Sequence, residues 1–391
     1  MESRPAFAAV RAAEYPDTTD VIYLNAASYG PLPLRSRAAI DAYNRKRQTP
    51  HVLTPADFAE PLAEARRAVA SLISVPADSI ALAPNTSTGI NLAAALVRRE
   101  AQRNAGWLGG RRTIVFSEGE FPANAYPWLG LGREGWSVER IAADPLGRPR
   151  EDALLDRLDE DVAVLAVSAV QFANGYRADL ARLGAACREH GVLFVVDAIQ
   201  AVGAVPLDAT TAGVDILAAG GQKWLCGPFG SGFMYVRPEL VSRFEPPLPG
   251  WLAVESSTDF SSALGYPYDL LSDARRFEVG SLAIQDYLGL ARSAELLGEL
   301  GVEAIWDHIR ALQQPLLDWA IASPSVVLVS DTREARRSGI VSFRTPDVTT
   351  TAAALREAGV AFVTREGAIR LAVHFYNTIA EMERVLEALG A

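Results

Sequence analysis

Cysteine and histidine are scarce in this chain of 391 residues. Only Cys187 and Cys226 represent the first, and His51, His190, His308 and His374 the second. Two cysteines make no disulfide framework and exclude a four-cysteine zinc site. The histidines show no H-x-x-x-H spacing, so a metal centre is not expected. No run of about 18 apolar residues occurs, and no membrane span is expected. Met1-Glu2-Ser3-Arg4-Pro5 opens no apolar core of signal-peptide length, and a soluble, cytoplasmic protein is the expectation. Positive charge is also in deficit, with 37 Lys and Arg against 47 Asp and Glu, a net charge of −10. A nucleic-acid-binding surface is therefore not expected. Heptads and internal repeats are absent.

What remains is an ordinary globular balance, 49% hydrophobic and 21% charged. At roughly 150 residues per domain, the length suits two to three units. Thr113–Phe116, Val162–Val167, Val192–Val196, Val214–Ala218 and Gly232–Val236 read as strands. Several are apolar without alternation, as in strands buried on both faces. Ala178–His190 reads as a helix closed by Gly191. This order implies a mainly parallel, doubly wound α/β sheet.

The pattern changes near residue 282. Ile284–Leu300 and Val302–Ala322 read as long helices. Short strands follow at Val326–Val329, Gly339–Phe343, Ala361–Val363 and Ile369–Val373, with a helix at Ala352–Ala358. A final helix carries a capping box, Thr378 with Glu381. The expected division is a segment 1–20 packing with the small domain, a large domain 21–282, and a small α+β domain 283–391. Glu245 to Tyr268, rich in Pro, Ser and Gly, reads as a long surface excursion.

Four segments carry chemistry. Lys223 follows an apolar strand in Gly220-Gly221-Gln222-Lys223-Trp224, at the strand end where open α/β sheets bind ligands. Apolar surroundings depress a lysine pKa and make the amine nucleophilic, although an exposed loop lysine is the plainer alternative. Asp197 ends the run Val192–Val196. It is either a helix cap or the partner of a buried cation. A cofactor with a basic ring nitrogen and an aldehyde would use both, the lysine as imine and the carboxylate to keep the nitrogen protonated. Asn85-Thr86-Ser87-Thr88-Gly89 opens a helix and reads as a cap or an anion site. Phe121, in Ser117-Glu118-Gly119-Glu120-Phe121-Pro122-Ala123-Asn124, is core or a stacking surface for a flat heterocycle.

In their order and spacing these segments resemble the class V aminotransferases. That is the pyridoxal-phosphate fold-type I branch with cysteine desulfurases, isopenicillin-N-epimerase-like proteins and kynureninases. The resemblance runs from Val21-Ile22-Tyr23-Leu24-Asn25-Ala26-Ala27 to Arg370-Leu371-Ala372-Val373-His374-Phe375-Tyr376-Asn377-Thr378. It implies a seven-stranded sheet with a smaller C-terminal domain, pyridoxal 5'-phosphate as cofactor, and an amino-acid substrate. It makes Lys223 the cofactor lysine, Asp197 the ring-nitrogen partner and Gln200 the donor to the ring's 3-oxygen. Thr86, Ser87 and Gln222 would hold the phosphate, and Phe121 would stack on the ring. Arg275-Arg276-Phe277-Glu278-Val279-Gly280-Ser281 would reach the neighbouring protomer's phosphate through Ser281, which implies a homodimer with shared active sites. Arg370 would clamp the substrate carboxylate. Gln171 and Phe172 would lie near ring or substrate. His374 is a substrate contact, a general acid or a structural histidine.

Desulfurases need a mobile cysteine in the C-terminal third, and none follows Cys226. A persulfide route is therefore disfavoured. Transamination is the expected reaction, with lyase or epimerase chemistry and a catalytically silent relative as alternatives. A nicotinamide dehydrogenase is disfavoured, because no G-x-G-x-x-G follows the first strand.

Overall fold

The computed structural model describes residues 7–18, 20–103, 108–258, 261 and 263–390. After a short strand β1 (Ile22–Tyr23), seven strands build a central sheet. They are β2 (Ile80–Leu82), β3 (Thr113–Ser117), β4 (Ser137–Ile141), β5 (Val162–Ser168), β6 (Leu193–Asp197), β7 (Ile216–Gly220) and β8 (Gly232–Val236). Their order is β2-β8-β7-β6-β5-β3-β4. β8 pairs antiparallel with both neighbours, and every other pair is parallel. Six strands therefore present their carboxyl ends at one edge of the sheet.

The unalternating strands are buried on both faces for a visible reason. In β6, Phe194 and Val196 enter one apolar cluster while Leu193 and Val195 enter another. Leu165 and Val167 of β5 divide from Val164 and Ala166 in the same way. Two layers thus cover the sheet, and no polar face is needed. The helix expected at Ala178–His190 spans Leu180–His190. Asp179 caps it, accepting from Arg182 N–H, and Gly191 closes it at φ 64°. The strand expected at Val214–Ala218 lies two residues later, because Asp215 accepts from Phe194 N–H as a side chain before the ladder begins.

The helices Ile284–Leu300 and Val302–Ala322 lie where expected. Beyond them come β9 (Val327–Leu328), β10 (Ile340–Arg344), β11 (Val360–Ala361), β12 (Val363–Arg365) and β13 (Ala368–Ala372). Four of these form an antiparallel sheet in the order β12-β13-β10-β9. The single strand expected at Ala361–Val363 is two strands in different sheets, since β11 pairs in parallel with β1. The helix expected at Ala352–Ala358 begins earlier, at Val348, where Asp347 accepts from Thr349 and Thr350 N–H. Thr378 and Glu381 form the reciprocal capping box.

The helix Phe7–Glu14 lies against the C-terminal part of the chain. Arg11 pairs with Glu381 at 2.6 Å, and the Phe7 ring is centred 4.5 Å from that of His308. Residues 245–258 and 263–268 run as loop and short 3-10 turns, leaving Leu248, Trp251, Leu264, Tyr266 and Tyr268 exposed. Among the described residues, no helix is long and apolar enough to cross a membrane.

Candidate active site

The carboxyl edge of the central sheet gathers most of the residues singled out above. Asp197 is the last residue of β6 and is buried. Its Oδ1 accepts from Ile199 N–H at 3.0 Å. Loss of solvent pushes its carboxyl up to about 7, an effect that this hydrogen bond and the Lys223 charge only partly offset.

Lys223 follows β7 in a turn fixed by backbone contacts. Gly30 N–H donates to Gln222 O at 2.8 Å, and Cys226 N–H donates to Lys223 O at 2.9 Å. A β-carbon on Gly30 would stand 2.3 Å from the Lys223 carbonyl oxygen, so only glycine allows this approach. Burial brings the Lys223 amine down to about 8. Asp197 opposes the fall, whereas Arg370 and Arg365 add to it. Lys46 and Lys223 are the only lysines in the chain. Lys46 is exposed and paired with Asp57.

Phe121 stands over Lys223, with Nζ 5.5 Å from the ring centroid. Its ring is 41% exposed and meets Phe172 edge-on at 5.2 Å. One large flat surface is thus held open above the amine. Gln200 is buried next to the Lys223 turn, bonded to Trp224. Its Oε1 accepts from Trp224 Nε1 at 2.7 Å and its Nε2 donates to Ala27 O at 3.1 Å, leaving the second amide hydrogen for a further acceptor.

The turn before the helix Thr86–Ala101 lies at the same edge. Asn85 caps this helix, accepting from Thr88 N–H at 2.9 Å. Thr86 is buried, yet its hydroxyl has no partner. Ser87 is exposed. Gly89 draws the helix close to β7, where an added β-carbon would come 2.6 Å from Ala218 Cβ. Across the gap, Gln222 Oε1 is buried without a partner. An orphaned hydroxyl beside a helix amino terminus suits an anion of phosphate size, and the amide N–H groups of Gln222, not its oxygen, are the donors that residue could add.

Arg370, on β13, is buried and points into the site. Its Nη1 donates to Phe172 O at 2.7 Å and its Nη2 to Ser28 Oγ at 2.9 Å, while Nε has no partner. Among the described residues no acid pairs with it. Burial brings it down to about 10, and the Arg365 charge deepens the fall.

Two expected contacts take other roles. Gln171 is buried and donates from Nε2 to Glu120 Oε1 at 2.7 Å, which makes it a holder of that carboxylate rather than an open substrate contact. His374 is buried beside Trp224, Phe375 and Tyr376. Its Nδ1 accepts from Phe375 N–H at 2.8 Å, so Nε2 carries the hydrogen, donated to Trp224 O at 2.8 Å. Both nitrogens are committed, and the substrate-contact reading is corrected to one of support. Ser281 is exposed within the chain. Its segment is anchored by the buried pair Glu278 and Arg66 at 2.7 Å, with Glu278 also accepting from Leu82 N–H.

Glu120 and Arg365 were not singled out from the sequence. Glu120 is buried and accepts from Ser168 N–H, Ser168 Oγ, Gln171 and Asn124. Burial pushes its carboxyl up. Its charge opposes ionisation of Asp197. No local sequence signal marks it, because its partners come from two separate loops.

The sequence matches the family model of Aminotransferase class-V over residues 23–385. The uncharacterized aminotransferase YcbU of Bacillus subtilis is 30% identical over 84% of this chain and 82% of its own length. A probable cysteine desulfurase of Methanothermobacter thermautotrophicus is 28% identical over 96% of both chains. The apo structure of a cysteine desulfurase from Thermococcus onnurineus superposes with a TM-score of 0.84 at 25% identity, covering 97% of this chain and 96% of that one.

Proposed function

The chain belongs to the class-V aminotransferase family, and from that premise we propose that it is a pyridoxal-phosphate enzyme that transaminates an amino acid. The observation that carries this reading is Arg370. A buried guanidinium with no acidic partner among the described residues, on the same site as the half-buried Lys223, is arranged for a carboxylate that arrives with the substrate.

The residues present fit the cofactor. Thr86 offers an unpartnered hydroxyl and Gln222 its amide N–H groups to its phosphate, Gln200 a spare N–H to its ring oxygen, Asp197 a carboxylate to its ring nitrogen and Phe121 an open face. When bound, the cofactor supplies an electron sink for the pair left behind as the substrate's α-proton departs. The chain does the rest. Lys223, near neutrality in its free-base balance, serves first as nucleophile toward the aldehyde and then as the base that takes and returns the α-proton. Asp197 would hold a proton on the ring nitrogen. Arg370 turns the substrate carboxylate so that the α-carbon faces Nζ. Phe121 and Phe172 shield that face from water.

We also propose a homodimer. Trp251, Tyr266, Tyr268 and Val279 leave apolar surface exposed around the segment that ends at Ser281, which suits a second copy better than water. Single-turnover reaction with an amino acid tests the function. Bleaching of the yellow cofactor, release of one equivalent of the 2-oxo acid and recovery on adding a second oxo acid support transamination. Release of ammonia or a side-chain fragment without bleaching points to lyase chemistry instead.

A further inference from the structure

Arg370 has a companion. The hairpin β12–β13 is closed by a two-residue turn, Glu366-Gly367, with φ of 47° and 72°. Both values are positive, as in the primed turns that close tight hairpins. The register is thereby fixed, with Val363 opposite Arg370 and Arg365 opposite Ala368. Cross-strand partners and every second residue share a sheet face. Arg365 and Arg370 therefore project from the same face as diagonal neighbours, a separation of roughly 7–8 Å between their stems. Ser342 of β10, opposite Arg370, shares that face, and its hydroxyl donates to Ala173 O at 2.6 Å. The face thus looks toward the loop that carries Phe172.

The two arginines differ in burial. Arg370 lies inside and Arg365 at the rim, exposed. Arg365 donates from Nη1 to the neighbouring Thr364 O at 3.2 Å. No carboxylate among the described residues forms an ion pair with either. Arg344 also reaches the turn, donating to the backbone O of Glu366, and among the described residues the Glu366 carboxylate forms no ion pair with Arg365 or Arg370. The Arg365 charge is felt at both Lys223 and Arg370, where it disfavours a further positive charge. Two like charges held on one face, without an acid between them, are relieved by a ligand that brings two negative charges.

We propose that Arg365 is a specificity-determining residue that receives a second anionic group of the substrate, so that the substrate class is amino acids with an acidic side chain. This rests on the reading of Arg370 as the clamp for the α-carboxylate. A diagonal stem separation of this size, spanned by two long guanidinium side chains, matches a short dianion. The inner fork takes one end and the rim fork the other, and the substrate is oriented along the hairpin face.

Dicarboxylates without an amino group test the proposal apart from the cofactor chemistry. Succinate and glutarate would be titrated into the purified holoenzyme by calorimetry, against butyrate and valerate. The expected result is at least tenfold tighter binding of the dicarboxylates. In Arg365→Gln that ratio is expected to collapse toward one, while Arg370→Gln weakens acids of both kinds. Equal binding of mono- and dicarboxylates by the wild type, or an unchanged ratio in Arg365→Gln, would overturn the role of Arg365. Monocarboxylate binding left unchanged by Arg370→Gln would overturn the two-arginine arrangement. A wild-type protein that carries no yellow cofactor would defeat the functional reading instead, and the calorimetric ratio would still decide the role of Arg365.

Discussion

His374 Nε2 donates to the carbonyl oxygen of Trp224 at 2.8 Å, and Trp224 is the residue next to Lys223. The ring thus pins the turn that presents the amine. Burial pushes His374 down to about 4, so the fold keeps it neutral. In the unfolded chain it titrates near its ordinary value of about 6.5. Its contribution is therefore complete above about pH 6.5 and is lost as pH falls toward 4. Over that window the loss should approach about 3 kcal/mol. Denaturant unfolding of wild type and His374→Gln at pH 8 and pH 5 checks this. The gap between the two proteins should narrow on acidification, and a gap independent of pH would refute the role.

Lys223 is one of two lysines, and the other is an exposed member of an ion pair. Borohydride reduction of the holoenzyme followed by peptide mapping should place the pyridoxyl group on Lys223 and leave Lys46 unmodified. Because the Lys223 amine sits at about 8, capture of pyridoxal phosphate by the cofactor-free protein should accelerate as pH rises through about 8 and then level off. Absorbance in a stopped-flow instrument reads the rate. A rate that is flat between about pH 7 and 9 would show that the amine is not the titrating nucleophile.

Asp197 answers differently in the two forms of the protein. Its carboxyl is held up at about 7 by burial, so the cofactor-free fold loses stability as pH rises from about 4, where the unfolded chain ionises, to about 7, and carries the full cost above that. Asp197→Asn should therefore stabilise the cofactor-free protein at pH 8 by on the order of a few kcal/mol at most, seen as a higher melting temperature. The same change removes the anion that keeps the ring nitrogen protonated, and turnover should fall by roughly 3–4 kcal/mol in barrier. Calorimetry and steady-state kinetics on one preparation measure both. Near-normal turnover would dismiss the role.

Much of this site was legible because its residues sit where chain punctuation is strong. Asp197 ends an apolar run and Lys223 lies just beyond one, and strand ends on parallel sheets are predictable from sequence. Thr86 opens a helix after Asn85, a cap that reads directly. What could not be read depends on register. Arg365 reaches the site only because Glu366-Gly367 closes a tight turn that aligns it with Ala368, and a one-residue slip would turn it to the other face. Glu120 is invisible for a similar reason, since its burial depends on Ser168 and Gln171 arriving from another strand end. The histidine was ambiguous until its two nitrogens could be followed to their partners. The split of Ala361–Val363 into two strands was hidden too, because β11 is stabilised by a partner more than 330 residues earlier in the chain.

The remaining question is the thiol, since the probable cysteine desulfurase of Methanothermobacter thermautotrophicus is among the relatives. A persulfide route needs a thiolate that approaches substrate sulfur on a movable segment. Cys187 is buried in the helix Leu180–His190, where loss of solvent and the Asp215 charge hold its thiol well above its usual range. Cys226 is buried in the Lys223 turn at φ 53°, and burial pushes it up to about 12. At neutral pH its thiolate fraction is on the order of one part in 10⁵, far below that of a reactive cysteine. The strand pair β12–β13 that follows closes in two residues and holds no cysteine. A Cys187→Ala/Cys226→Ala double variant should keep its cofactor and its turnover within about twofold, losing roughly 1 kcal/mol of stability per site from the missing sulfur. Sulfide release from cysteine in the presence of a thiol reductant should stay at trace level in both proteins. Rapid release by the wild type that vanishes with Cys226→Ala would place the turn thiol in the chemistry and overturn its assignment as packing. Rapid release that persists in the double variant would identify a lyase that breaks the carbon–sulfur bond without a protein thiol.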